Sequence, residues 1–183
     1  MTRTYDELEL LPKVVPSARH ANRTLCCDIT AADHETGKKL SRTMKEVYGD
    51  ATLPNDKIVI LFRGAAGDRF GTGLGSGITF VADKIGANGC ADMNGGRALI
   101  LSLPREGVLP RSQKRECVCL FQGHGHSTRL RRLYRRETEC IRESRNQTLV
   151  EEHQLLTHSK ESSAILSDWN ESDCGFVRVS ATV

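Results

Sequence analysis

Three short runs of apolar residues recur at equal intervals along the middle of the chain. Residues 58–62 (IVILF), 78–81 (ITFV) and 98–101 (ALIL) have the length and composition of β-strands, and their first residues are 20 positions apart, from 58 to 78 and from 78 to 98. A fixed period of this size is typical of repeated units that stack on one another. The pattern therefore predicts a mainly β fold, namely a short right-handed β-helix (a single-stranded solenoid) of about three rungs.

Glycine dominates the two gaps between these runs. Because glycine has no Cβ, it adopts positive φ and lets one backbone turn lie directly against the next, as stacked turns require. We therefore predict a structural role for eight of these residues: Gly64, Gly67, Gly71, Gly77, Gly86, Gly89, Gly95 and Gly96.

Helical spacing of apolar residues flanks the repeat. Before it, apolar residues at i, i+4, i+7 and i+8 predict a helix over residues 38–48, with Gly49 at its C-terminus. After it, Ser144 and Gln147 have the spacing of a capping box and predict the start of another helix. A second closing helix and a tail strand over residues 176–179 are predicted next, and Trp169 is predicted to be a core residue of the closing helices.

These patterns divide the chain into four segments. The first has no sustained period, and its prolines interrupt any helix, so it is predicted to be an irregular leader. The glycine-repeat β-helix with its leading helix comes second, a basic and poorly ordered insert third, and a helical cap with the tail strand last. The segments are residues 1–23, 24–104, 105–145 and 146–183.

Charge is distributed unevenly. The net charge of the whole chain is +3, but residues 105–145 hold eleven Lys or Arg against five Asp or Glu. The arginines of residues 129–136 could meet nucleic-acid phosphates or an anionic membrane surface. Because Tyr134 is the one aromatic residue interleaved with them, and stacking on bases needs more, a solvated face is favoured and nucleic acid is not the expected partner.

At this point the glycine motifs resemble a known family. Residues 62–70 (FRGAAGDRF) and 86–97 (GANGCADMNGGR) are similar to the glycine-repeat (GxxGxxxG) domain that ends the large subunit of glutamate synthase. Residues 40–58 resemble the helix and first strand that lead into that domain, and residues 147–179 resemble its closing helical segment. The resemblance adds Arg97, which ends the second motif, to the structural residues, and it implies that intervening repeats are missing.

The resemblance implies a truncated, non-catalytic scaffold domain. The parent activity is glutamate synthesis from glutamine and 2-oxoglutarate, with FMN and an iron–sulfur cluster bound by domains that this chain lacks. Cys26 and Cys27 are internal, so neither has the N-terminal amine that would activate the family's nucleophile. We therefore expect no catalytic, cofactor-binding or metal-binding residue in this chain. Other glutamate synthase domains or subunits are the expected partners, and a docking subunit is an alternative role.

Two further motifs could bind ligands. Residues 71–77 (GTGLGSG) contain closely spaced glycines, but Ser76 and Ile78 occupy the third-glycine positions of a dinucleotide fingerprint. Cys117 and Cys119 with His124 and His126 could supply four ligands to zinc, although the spacing is unusual. A basic or zinc-binding module centred on residues 105–145 therefore remains a second alternative.

The remaining features favour an intracellular protein. Seven cysteines form an odd set with no regular spacing, which is typical of reduced thiols rather than of a secreted disulfide framework. The first residues are acidic where a signal peptide would be basic, and no apolar stretch is long enough to span a bilayer. We therefore expect a cytoplasmic location and no membrane partner. We also predict that His153, on the apolar stripe of its helix, is a hydrogen-bonded packing residue.

Overall fold

A computed structural model describes residues 3–16, 22–49, 53–102, 117–121, 138–141, 144–169 and 176–179. The N-terminal helical segment is a π-helix, Asp6–Leu10, that continues directly into α1, Leu11–Val14. The other helices are α2 (Lys38–Tyr48), α3 (Ser144–Thr157) and α4 (Lys160–Ser167). The strands are β1 (Arg23–Ile29), β2 (Ile58–Ala65), β3 (Ile78–Lys84), β4 (Arg97–Ile100), β5 (Cys117–Phe121), β6 (Thr138–Ile141) and β7 (Phe176–Val179).

All seven strands belong to one mixed sheet in the order β1-β2-β3-β4-β5-β7-β6. The first five are parallel to one another, and β7 runs antiparallel to both β5 and β6. The predicted runs of the repeat pair in register, with Ile58 beside Ile78 and Val81 beside Leu99. The parallel pairing expected of these three runs is therefore found.

The central strands are apolar on both faces. Alternate side chains of β2 point to opposite sides, so Ile60 and Phe62 belong to one core while Val59 and Leu61 belong to another. A parallel sheet of this kind must be covered on both faces, because every residue of such a strand is buried. Helices supply that cover on each side.

The first core lies on the side of the N-terminal helices. Leu10, Val14, Leu40 and Met44 from the π-helix, α1 and α2 pack there against the sheet. An aromatic cluster fills its centre, with ring centroids between 4.9 and 5.2 Å apart and edge-on or tilted geometry, formed by Phe62, Phe70 and Phe80.

The second core lies on the side of α3 and α4. Leu149 and Val150 of α3 and Ile165 of α4 pack against the opposite face of the sheet. Trp169 is partly buried at the edge of this core. The two helices also pack on each other, so they form a pair over β2 and β3.

The prediction of a mainly β solenoid is wrong. The described residues form one sheet with helices on both faces, which is an α/β arrangement. The 20-residue period correctly located three strands, but the prediction of how the chain packs around them was wrong. Strands that are apolar on both faces equally suit a helix-covered sheet, and the helices supply that cover.

Two further expectations differ from the structure. The predicted irregular leader contains helix from Asp6 to Val14, and Pro12 lies just after the point where the π-helix changes into α1. The basic insert contributes β5 and β6 to the sheet, although its sequence suggested neither strand. Ser144 and Arg145 begin α3, and the other residues of that insert lie outside the described part of the chain.

The flanking elements agree with the sequence. Helix α2 spans the predicted residues 38–48 and ends at Gly49, whose φ is +71°. Helices α3 and α4 and strand β7 also lie where the apolar spacing predicted them. Among the described helices, none combines the length and apolar character that a bilayer-crossing segment needs.

Candidate functional site

A cleft of about 670 Å³ lies between the N-terminal helical segment and β1. Tyr5, Leu8 and Lys13 line it from the helical side, and Cys26 and Asp28 line it from the strand. The Tyr5 hydroxyl donates a hydrogen bond to the carbonyl oxygen of Asp28, and burial raises the pKa of this phenol. Helix and strand are thus tied together at one end of the cleft.

The charged groups around the cleft have partners within the fold. Lys13 pairs with Glu9 at 2.6 Å, and Arg63 donates two hydrogen bonds to Asp28 at 2.5 and 2.8 Å. The hydrogen bonds from Arg63 lower the pKa of Asp28. Asp33 accepts the backbone and side-chain hydrogen bonds of Thr30. These groups therefore shape the cleft wall rather than converge on one point inside it.

The two adjacent cysteines of β1 have opposite environments. Cys26 is exposed and its thiol lies 3.7 Å from the carbonyl oxygen of Leu156. Cys27 points into the first core, and burial raises the pKa of its thiol. A raised thiol pKa disfavours the reactive thiolate, so Cys27 is suited to packing rather than to nucleophilic attack.

A buried polar network joins both helices of the second core to the sheet. His153 of α3 is fully buried; its Nε2 lies 2.9 Å from the Phe62 carbonyl oxygen and its Nδ1 lies 2.8 Å from the Ser162 hydroxyl. The Ser162 N–H donates to the Ser159 hydroxyl, which in turn donates to Asp83 at 2.6 Å. The chain of contacts therefore runs from β3 through α4 and α3 to β2.

The contacts of His153 fix its tautomer. A carbonyl oxygen can only accept, so Nε2 carries the proton and donates to Phe62. In the neutral ring Nδ1 then accepts from Ser162. Asp83 Oδ1 is 3.7 Å from Nδ1, beyond hydrogen-bonding distance. Serine, histidine and aspartate are thus close together, but both ring nitrogens are engaged inside the protein, and His153 is confirmed as a hydrogen-bonded packing residue.

Asp83 is the ionisable end of this network. Burial raises the pKa of its carboxyl group, and the hydrogen bond from Ser159 opposes that shift. Lys84 and Glu161 are the charged groups beside it, and they pair with each other at 2.9 Å. The network therefore contains one carboxyl group that resists ionisation.

A second buried carboxylate caps a helix from a distance. Asp6 accepts hydrogen bonds from the backbone N–H groups of Gly37, Lys39 and Leu40, at 2.8 to 3.0 Å, at the start of α2. Burial raises the pKa of Asp6, and these three hydrogen bonds oppose the shift. Helix N-termini favour negative charge, so Asp6 anchors the N-terminal helical segment to α2.

A third polar group lies at the amino ends of β2 and β3. Asp56 accepts hydrogen bonds from Thr79 at 2.6 Å and from Arg145 at 2.8 Å. Burial acts to raise the pKa of Asp56, but these two partners prevail and lower it. Arg145 lies one residue into α3, so this ion pair fixes the start of that helix on the sheet.

The glycines predicted to be structural lie in the two loops that join β2 to β3 and β3 to β4. These loops are hydrogen-bonded to each other through their backbones, for example from Gly86 N–H to the Gly67 carbonyl and from Cys90 N–H to the Phe70 carbonyl. Gly64 is different, because it lies on β2 itself beside Ile29 with φ of +116°. A Cβ at this position would overlap the Ile29 carbonyl oxygen. Positive φ is also found at Gly71, Gly77 and Gly95, and close backbone or side-chain neighbours surround Gly67, Gly86, Gly89 and Gly96.

Arg97, also predicted to be structural, is the first residue of β4 and lies beside Thr79 of β3. In the loop after β2, Arg69 pairs with Glu35 at 3.2 Å, and Asp68 accepts the N–H of Ala87 at 2.8 Å.

The residues considered for zinc are only partly described. Cys117 and Cys119 lie on β5, while His124 and His126 fall outside the described residues. Within the described part of the chain, no three His, Cys, Asp or Glu side chains group closely enough to hold a metal ion. Of the other cysteines whose side chains are described, Cys26 is exposed on β1, and Cys27 and Cys90 are buried in the first core.

Sequence reasoning missed the cleft and most of the buried network. The apolar alternation of Leu25, Cys27 and Ile29 indicates a strand at β1, and this pattern could have located the cleft wall. Asp83 and Ser159 are 76 residues apart in the chain, so their contact depends on how the helices pack on the sheet.

Comparison with known proteins gives one related sequence and no family. No protein-family profile matches the chain. The chain is similar to "Glutamate synthase [NADH]" of Saccharomyces cerevisiae, with 40% identity over 53 residues. That stretch covers 29% of this chain and 2% of the yeast protein, so the match spans only a small fraction of the relative's length. The comparison supports a relation to glutamate synthase.

Proposed function

We propose that this chain is a non-catalytic scaffold piece related to the C-terminal part of the glutamate synthase large subunit. The similarity to the yeast enzyme supports the relation, and the glycine motifs at residues 62–70 and 86–97 support the part of the subunit. The parent reaction forms glutamate from glutamine and 2-oxoglutarate. In this proposal the chain holds other parts of the enzyme in place and does not carry out that reaction alone.

The observation that supports a scaffold most strongly is the use of His153. Acid–base or nucleophilic catalysis needs a side chain that can reach its substrate. His153 and Ser162 are both fully buried, and each bonds to groups of the protein itself. The Ser–His–Asp grouping therefore acts as a brace between helices and sheet rather than as a catalytic triad, whose histidine must receive the serine proton at an accessible site.

The proposal extends to cofactors and partners. FMN and the iron–sulfur cluster of the parent enzyme would be bound by other domains, and this chain would bind neither. Its partners would be other glutamate synthase domains or subunits. The alternative of a docking subunit uses the same contacts, and differs only in whether the partner is a separate polypeptide.

Purified protein tests this proposal directly. We expect no flavin absorbance near 450 nm, no bound iron, and no glutamate formation when glutamine, 2-oxoglutarate and a reduced electron carrier are supplied. A glutamate synthase of known activity in the same assay is the positive control. Glutamate formation by the purified wild-type chain in this assay would contradict the scaffold role.

A further inference from the structure

Strand β1 forms one edge of the sheet. It pairs with β2 on one side, and β2 lies between it and the rest of the sheet. Arg23 donates its N–H to Lys57 in this ladder, and backbone groups alternate in direction along a parallel strand. The odd-numbered residues of β1 therefore bond to β2, while the N–H and C=O groups of Thr24, Cys26 and Asp28 point outward.

The outward groups are mostly open. Among the described residues, only the Asp28 carbonyl has a partner on this side, the Tyr5 hydroxyl. Thr24 and Cys26 thus present two N–H and two C=O groups to the outside, next to the cleft described above. Tyr5 marks the end of the open stretch.

Exposed leucines flank the same edge on both faces of the sheet. The large apolar side chains that are exposed within the described residues are Leu8 (53%), Leu155 (69%) and Leu156 (43%). Leu8 lines the cleft from the side of the first core. On the other face, the carbonyl oxygen of Leu156 lies 3.7 Å from the Cys26 thiol, whereas Leu155 lies on the side of α3 that faces away from the sheet, opposite Leu149 and His153. Exposed apolar residues that converge on one place mark an interaction surface.

Few of the devices that protect an open edge are present in β1. Proteins protect open edges with proline, charged side chains, a bulge, a very short strand or a covering helix or loop. β1 has seven residues, contains neither proline nor lysine, and pairs with β2 without a register shift. Its two charged residues, Arg23 and Asp28, lie near its ends, and Asp28 is paired with Arg63, so the stretch between them is suited to receive another strand.

We propose that the outer edge of β1 binds an extended strand of another polypeptide whose side chains are apolar on both faces. Such a strand would pair with Thr24 and Cys26 through its backbone. Its alternate side chains would cover Leu8 on one face and Leu156 on the other, because successive strand residues point to opposite faces.

A second copy of this chain fits the surface poorly. If β1 of another molecule paired here, its exposed side chains would be those of Thr24, Cys26 and Asp28. These polar groups would face Leu156 of α3 and leave it uncovered. Strand β2 has the required character, since Ile58, Ile60 and Phe62 fill one core while Val59 and Leu61 fill the other.

A peptide copying residues 57–63 (KIVILFR) is therefore the probe. Its terminal Lys and Arg aid solubility, and its five central residues are apolar on both faces. Under reducing conditions, binding followed by NMR hydrogen exchange should slow the amides of Thr24, Cys26 and Asp28, which are fast in the free protein. The same peptide with N-methyl groups on its three central amides cannot pair through its backbone and should not slow them.

Matched variants test the two parts of the surface. Cys26→Pro removes one outward N–H and leaves the β1–β2 ladder intact, so it should abolish binding, whereas Cys26→Val should retain it. Leu156→Lys should weaken binding about tenfold or more, while Ala164→Lys on the exposed side of α4 should leave it unchanged. The leucine variant provides a test that does not depend on how Cys26→Pro folds.

Three results would overturn the proposal. The plain and N-methylated peptides could slow amide exchange equally, or the peptide could protect amides elsewhere in the chain and not those of β1. The β1 amides could also become protected without peptide, through self-association that depends on protein concentration. The test uses no glutamate synthase component, so its outcome is separate from that of the activity assay above.

Discussion

His153 connects three elements through two ring nitrogens. Its Nε2 bonds to the backbone of β2, and its Nδ1 bonds to Ser162 at the start of α4, while the residue itself belongs to α3. Removing one partner of a buried hydrogen bond lowers stability by more than the bond contributes, because the polar group that remains has neither its partner nor water. This one side chain therefore controls how the helix pair sits on the sheet.

Replacing His153 tests that conclusion. His153→Ala should lower the free energy of unfolding by about 3 kcal/mol, because it creates a cavity and leaves the Phe62 carbonyl and the Ser162 hydroxyl unpaired. Urea denaturation followed by circular dichroism measures the change. His158→Asn is the matched control; His158 is exposed with φ of +54°, which asparagine tolerates, so a change within about 0.5 kcal/mol is expected. Equal losses in the two variants would contradict the bracing role.

The Asp83 carboxyl group gives the stability a predictable pH dependence. Burial raises its pKa in the folded state above the unfolded value, so the folded protein binds this proton more tightly. Its contribution to stability is therefore full below the unfolded pKa and is lost as the pH rises through the folded pKa. Asp83→Asn removes this ionisable group. The free energy of unfolding of the variant minus that of the wild type should therefore be largest near pH 7 and should decrease as the pH falls toward 4.

Denaturation of both proteins at a series of pH values measures this difference. Asp92→Asn serves as the control, because Asp92 is exposed in the loop before β4. A difference between Asp83→Asn and the wild type that stays constant across this range, or grows as the pH falls, would be inconsistent with burial as the cause.

At the scale of elements, glycine is required where neighbouring strands approach each other closely. Gly64 of β2 lies beside Ile29 of β1, and no side chain fits between them. Gly73 also has positive φ, +67°, but nothing lies within 4 Å of its missing Cβ. A side chain at Gly73 would therefore meet only the cost of positive φ, whereas a side chain at Gly64 would meet that cost and the Ile29 carbonyl as well.

Alanine substitution at each position measures these two costs. Gly73→Ala should cost about 1 kcal/mol, the usual penalty for a side chain at positive φ. Gly64→Ala should cost clearly more, because the Ile29 carbonyl must also move and the β1–β2 ladder with it. Thermal denaturation of the two variants compares them, and a Gly64→Ala protein as stable as Gly73→Ala would show that the strands are not held this closely.

The elements differ in how well local sequence specifies them. Helix α2 and strands β2 and β3 were predictable, because each has an apolar period of its own. Helix α1 was not, because Pro12 normally signals a break, whereas here it follows the point where a π-helix changes into α1. The polar network was also beyond local reasoning, since Asp83 and His153 meet only after α3 has packed on the sheet.

For the whole molecule, the fold class depends on what covers the sheet. The repeat of residues 58–101 predicts parallel neighbours, but it cannot distinguish stacked rungs from a sheet between helices. The two separate cores show the second arrangement. Every strand from β2 to β4 is enclosed on both faces, which leaves the outer edge of β1 as the described place where exposed leucines and open backbone groups meet.

Residue-specific hydrogen exchange of the free protein tests this account most directly. It should show slow amides throughout β2 and β3, and an alternation along β1, with Leu25 and Cys27 slow and Thr24 and Cys26 fast. Uniformly fast exchange along β2 and β3 would contradict a sheet enclosed between two cores. Slow exchange at both Thr24 and Cys26 in a monomeric sample would contradict an open edge at β1.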